Sequence, residues 1–237
     1  MHICDNKYIL MERIFSLVLL FLFSLPSFSQ NPTFKIDYKY LVDEAILQQN
    51  NKQVDESQLS FITAIIQSLA FQEEGKPILQ VWVNRHFVRA ETSLFSNTYE
   101  INNKIDQLTL IVYPETKEYY KTEGLNDKLL DFGDSIKLAS ELPIKFVDGQ
   151  EKKIAGYTCK LAKIIVNEDH TATIHIWYTE DLPQVYWGEY AYLKNIPGAA
   201  LEISTSAIGI QAYQIKPDGD VNLFKLPSDF SEIKALN

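Results

Sequence analysis

The sequence predicts a mainly β, α+β protein: a curved antiparallel sheet or half-barrel of about 8–11 strands, with one apolar helix packed against its concave face. Three observations predict it. Runs of alternating apolar and polar residues recur along the chain, separated by turn chemistry. One segment, Gln58–Phe71, carries apolar residues at helical spacing instead. The densest cluster of local signals, Lys153–Ile203, reads strand, turn, strand, aromatic loop, tight turn, strand.

The chain begins with a targeting signal. Met11-Glu12-Arg13 precedes an apolar run, Ile14–Phe23, and small residues at Ser27 and Ser29 match the −3 and −1 positions of a signal-peptidase site. The run is shorter than the roughly 20 residues a membrane-spanning helix needs. Residues 1–29 are therefore read as a signal peptide, with Met11 as the effective start, and residues 30–237 as a single exported β-rich domain. Such a chain is periplasmic or extracellular after cleavage, and its mature part carries no transmembrane segment.

Phe34–Tyr40 alternates cleanly and forms the first mature strand. Asp55 and Ser57 offer N-caps to the helix, where Leu59, Ile62, Ile66 and Leu69 make an apolar stripe flanked by Phe61 and Ile65. From Pro77 the chain reads as successive antiparallel strands: Ile78–Asn84, Phe87–Thr92, Ser96–Asn102, Leu108–Tyr113 and Lys117–Thr122. Arg85-His86 falls at the first of their turns. Asn126–Leu142 is a loop with a short helical turn. Tyr157–Val166 and Thr171–Thr179 pair through Asn167-Glu168-Asp169; Lys163 breaks the alternation and predicts a bulge or an edge position there. In Asn195-Ile196-Pro197-Gly198, proline presets φ and glycine accepts a positive φ, the chemistry of a type II turn.

These motifs carry a family resemblance. I-A-G-Y-T-C-K-L-A, I-W-Y-T-E-D-L-P and I-P-G-A-A-L-E-I, in that order, resemble the GLPGLI family of exported bacterial envelope proteins. The match spans residues 150–205, with Asn195 and Ala199-Ala200 departing from the eponymous motif. D-Q-L-T-L-I-V-Y-P-E-T-K-E-Y-Y resembles a hairpin of the LolA- and LolB-like lipoprotein carriers, and F-K-L-P near the C-terminus a segment that ends many such envelope domains. The resemblance implies an exported β-rich protein of uncharacterised activity and transfers no catalytic residues.

Composition narrows the function classes. The 237 residues are 46% hydrophobic and 12% aromatic, enough for one sizeable core. A net charge of −9 disfavours nucleic acid and anionic lipid surfaces as partners. Cys159 is the one cysteine after the signal, so no intramolecular disulfide forms, and it is read as a small buried hydrophobe. His170 and His175 fall on opposite faces of a strand, which argues against joint metal ligation. Glu180-Asp181 is read as a solvated strand end. No metal, cofactor or catalytic set is predicted, and the protein is expected not to be an enzyme.

Two functional readings stand. In one, the sheet and helix enclose a cavity for a lipid or other hydrophobic ligand, contacted by Ile62, Ile66 and Leu69 and by the aromatic residues Trp177, Tyr186, Trp187 and Tyr190. In the other, the core is filled by its own side chains, and the aromatic loop caps the sheet and meets an envelope protein partner.

Overall fold

The structure, a computed structural model, describes residues 32–42, 76–92, 98–131, 136–165, 173–205 and 208–234. The predicted signal peptide and the predicted helix Gln58–Phe71 both lie outside them. Three strands set the middle of the sheet: β1 (Thr33–Val42), β2 (Leu79–Val83) and β3 (Phe87–Thr92). Asn84 supplies the β2–β3 turn by accepting the backbone N–H groups of His86 and Phe87 on its side-chain oxygen, 2.8 Å each. The meander continues through β4 (Tyr99–Asn103), β5 (Leu108–Tyr113) and β6 (Glu118–Glu123). A second meander holds β9 (Ile144–Ile154), β10 (Tyr157–Ile165), β11 (Thr173–Thr179), β12 (Ala199–Ser204) and β13 (Ile208–Asp218).

The two meanders join where β13 pairs antiparallel with β1 along its whole length, Thr33 opposite Asp218 through Val42 opposite Ile208. A two-residue strand, β14 (Ser231–Glu232), adds in parallel to β6. Among the described residues this makes one 12-stranded sheet, ordered β14-β6-β5-β4-β3-β2-β1-β13-β12-β11-β10-β9, curved and open at both ends. A separate ribbon pairs β7 (Leu129–Asp131) with β8 (Ile136–Leu138). The predicted mainly β class and antiparallel sheet are therefore found; no barrel closes. What covers the sheet among the described residues is loop and 3-10 turn.

Alternation sends side chains to two cores. Val81 and Val83 join Ile36, Tyr38, Val88 and Ala90 in the larger one. The intervening Trp82 goes through to the opposite face, with Tyr99, Ile101 and Val112. Residues 182–196 run across the larger core and bury Leu182, Val185, Trp187, Leu193 and Ile196 in it. Phe224, at the end of the 3-10 segment Val221–Phe224, closes the smaller core, its ring 5.3 Å from that of Phe87.

Two local expectations are corrected. The irregularity predicted at Lys163 sits at Lys160/Leu161, where Asp148–Gln150 of β9 are skipped in the pairing and Gly149 takes φ +74°. β10 is covered by β9, so it is not an edge. Gly198 has the predicted positive φ, but its N–H returns to the Ile196 carbonyl at 2.9 Å, closing a three-residue γ-type turn instead of a type II turn.

Candidate functional site

The site begins with β4, whose two faces differ in kind. Tyr99 and Ile101 enter the smaller core, while Glu100 and Asn102 point to the other face, directly opposite Ala90 and Val88 of β3. Asn102 is only 1% exposed. Its amide nitrogen donates to Glu100 Oε1 at 2.9 Å and to the Tyr186 carbonyl at 3.4 Å. The Thr109 hydroxyl, directly across on β5, stands 2.7 Å from both Asn102 Oδ1 and the Gly124 carbonyl. Glu100 also accepts the Gly188 N–H at 3.0 Å and the Asn126 amide at 3.1 Å. Strand, turn and loop are thus tied by one polar layer, and no buried side-chain N or O among the described residues lacks a partner.

Above this layer lies a groove of about 320 Å³, at the low end of the range of small-ligand sites. Asn102 and Thr109 form its floor. One wall is the β4–β5 turn, with Lys104 and Gln107; the other is Leu125 and Asp127. Tyr186 and Lys194, from the far end of the chain, close the third side. Gln107 takes φ +49° in the tight turn, which aligns with the twist of the flanking strands. Asp127 is steadied by the Ser140 N–H at 3.1 Å.

Lys104 is the unusual charge. Its ammonium donates to the Asn84 carbonyl at 2.9 Å and the Gln184 carbonyl at 2.5 Å, and lies 6.0 Å from the centre of the Tyr186 ring. No carboxylate lies within ion-pair distance of it among the described residues. Burial lowers its pKa to about 7. Amide, hydroxyl and carboxylate groups beside a phenol ring suit a hydroxylated ligand better than an apolar one. Among the described residues no group of three or more His, Cys, Asp or Glu stands ready to hold a metal.

The sequence-predicted residues fall differently. Tyr186 lines the groove, its backbone carbonyl bound to Asn102. Trp187 is buried in the larger core with its ring 4.7 Å from that of the partly buried Tyr190. Trp177 lies on β11 with the Lys152 ammonium 5.6 Å from its ring, away from the groove. Ile62, Ile66 and Leu69 lie outside the described residues. Cys159 is buried and unpaired, and Glu180 is ion-paired to Lys160 at 2.7 Å. Sequence reasoning missed Asn102, Lys104, Gln107 and Thr109. The available signal was polar residues alternating with Tyr99, Ile101, Leu108 and Leu110, which reads equally as a solvent face. A second cavity, about 440 Å³, lies beside Arg89 and Tyr99 on the opposite face.

Fold and groove together define a class, an open β-sheet module with a polar groove. Residues 105–203 match the family model described as "N-glycanase peptide, N-terminal domain". The fold is similar to the solved structure of PNGF-II, with a TM-score of 0.50 at 18% identity, over 86% of this chain and 31% of that one. The chain thus spans about a third of that neighbour's length. No curated protein matches it.

These comparisons overturn two expectations. The GLPGLI and LolA-like resemblances do not stand, because the matched N-glycanase domain includes all the motif residues that carried the first and the whole of the carrier-like hairpin. The physical reason is local. I-P-G-A-A-L-E-I encodes a tight turn into a buried strand, and a Cβ on Gly198 would collide with the Thr179 carbonyl. Any sheet that closes a turn so tightly against the neighbouring strand needs such a sequence. The expectation that the protein is not an enzyme is likewise corrected, since the matched domain is that of an N-glycanase and the structural neighbour is PNGF-II.

Proposed function

We propose that this protein acts on asparagine-linked glycoproteins outside the cytoplasm, as an N-glycanase-type protein whose groove holds part of the glycan. One observation carries the reading. The groove's polar and aromatic lining, from Gln107 and Thr109 to Asp127, Tyr186 and Lys194, falls inside the stretch that matches the N-glycanase N-terminal domain. Sugars present rings with one apolar face and a rim of hydroxyls, so a site for them needs paired donors and acceptors beside an aromatic surface. Beneath that lining, the Thr109–Asn102–Glu100 layer is held in place by its own hydrogen bonds. The alternative of a hydrophobic ligand rests on Gln58–Phe71, outside the described residues, and on the aromatic residues, of which Tyr186 lines this polar groove and Trp187 is buried in the larger core.

The test is calorimetric titration with an asparagine-linked glycopeptide and with the same peptide stripped of its sugar. The glycopeptide is expected to bind and the bare peptide not to. Gln107→Ala, at an exposed turn position, is expected to weaken glycopeptide binding about fivefold to tenfold, the loss of about one hydrogen bond. Equal affinity for both ligands, or for neither, would overturn the reading.

A further inference from the structure

We propose that the groove selects a carboxylate-bearing ligand, an acidic group of the glycoconjugate, with the half-buried Lys104 as its counter-charge and Lys194 at its rim. The inference rests on the glycan reading of the groove and adds the chemistry of what enters it. An ammonium removed from water is costly unless an anion or a full set of acceptors faces it. Lys104 has two carbonyl acceptors for its three protons, and no carboxylate within ion-pair distance among the described residues. The groove it lines is open to solvent, so a ligand can deliver the missing anion.

The surrounding charges agree. The whole chain carries −9, a field that repels anions, yet the groove lining holds two lysines against the single carboxylate of Asp127. Asp127 Oδ1 is already engaged by the Ser140 N–H. Asp106, on the same turn as Lys104, accepts the Asn103 amide at 2.7 Å. The β2–β3 turn packed against Lys104 contributes Arg85 and His86, the latter accepting the Lys104 backbone N–H at 2.8 Å, and the remaining neighbour is the Tyr186 phenol. Among the charged residues that line the groove, the lysines thus outnumber the carboxylate.

The pH dependence follows with a definite sign. Burial holds the free amine near 7, so a bound carboxylate raises its pKa and binding takes up a proton. Affinity is full below the free value and falls as pH rises through it, by up to about tenfold per pH unit.

The experiment titrates the full chain with a sialylated oligosaccharide, its neutral counterpart and an acidic peptide without sugar, at about pH 6 and about pH 8.5 in buffers of differing ionisation heat. The sialylated sugar is expected to bind at least about tenfold more tightly than the neutral one at the lower pH, with proton uptake, and to lose that advantage at the higher. Lys194→Met, at an exposed position, should reduce the advantage, and Lys104→Met should abolish the pH dependence. Should Lys104→Met not fold, the wild-type pH profile and the Lys194 variant decide alone. Tight, pH-dependent binding of the acidic peptide instead would support the carboxylate and assign it to the polypeptide. Equal, pH-independent binding of both sugars would overturn this inference and leave the glycan reading intact, whereas binding of no sugar at all would overturn both.

Discussion

Tyr38 shows how one side chain ties the two meanders together. It is fully buried on β1, and its hydroxyl donates to the Ala200 carbonyl on β12 at 2.7 Å, across a sequence separation of 162 residues. Burial pushes its pKa far above the ordinary tyrosine value. In the unfolded chain a tyrosine ionises near pH ~10, so above that pH the folded state holds the extra proton and stability falls, by up to ~1.4 kcal/mol per pH unit. Tyr38→Phe is expected to cost about 1–2 kcal/mol at neutral pH through the lost hydrogen bond, and to lack this alkaline slope. Urea unfolding of both forms at about pH 7 and about pH 10.5 measures it, and parallel profiles would refute it. Gly198 is the other position where one atom decides. With φ +140° and the Thr179 carbonyl where a Cβ would stand, Gly198→Val is expected to lower stability by at least about 2 kcal/mol, read as a shift in urea midpoint.

At the scale of elements, the C-terminal segment has more effect than its length suggests. Leu223, Phe224, Leu226 and Phe230 cover the face that Trp82, Ile101 and Val112 present, and Arg89 Nη1 donates to the Leu223 carbonyl at 2.7 Å. β14 then extends the sheet beyond β6, helped by the exposed Lys117–Asp229 and Lys121–Glu232 pairs, which add little on their own. Phe224→Ala is expected to cost about 3–5 kcal/mol and to shift the emission of Trp82 to the red, because the indole loses its cover. An unchanged spectrum and melting temperature would show that the segment is dispensable. On β4, Asn102→Ala should cost about 1–3 kcal/mol, since it removes one of the two partners of the buried Thr109 hydroxyl and the amide that donates to Glu100.

At the scale of the molecule, the sheet protects its interior as a unit. Cys159 sits on β10 between β9 and β11, fully buried, its thiol pushed up to about 11 chiefly by burial. A protonated, covered thiol is inert. In a Cys4→Ser chain, labelling by a disulfide reagent in urea is expected to follow the fluorescence unfolding curve, with negligible reaction before the transition. Labelling well below the transition would reveal local opening of β9. The groove belongs to this scale as well, because its floor, turn, loop and aromatic wall come from positions 102 to 194 of the chain.

Most strand positions were legible because alternation is a local property. Phe34–Tyr40, Leu108–Tyr113 and Thr171–Thr179 announce themselves in six to nine residues, and the turns at Arg85-His86 and Pro197-Gly198 carry their own chemistry. The sequence by itself determined a β-rich chain, its hairpins, the glycine demanded at 198 and the inert setting of Cys159. Tertiary structure alone decided which strands neighbour one another, as with β1 against β13, since a hydrogen-bond ladder leaves no trace in either strand's pattern. It also decided the site. Glu100, Asn102 and Thr109 look like a solvent face until residues 124–126 and 186–188 fold over them, and burial is what turns ordinary polar residues into a fixed layer and an ordinary lysine at 104 into a poised charge.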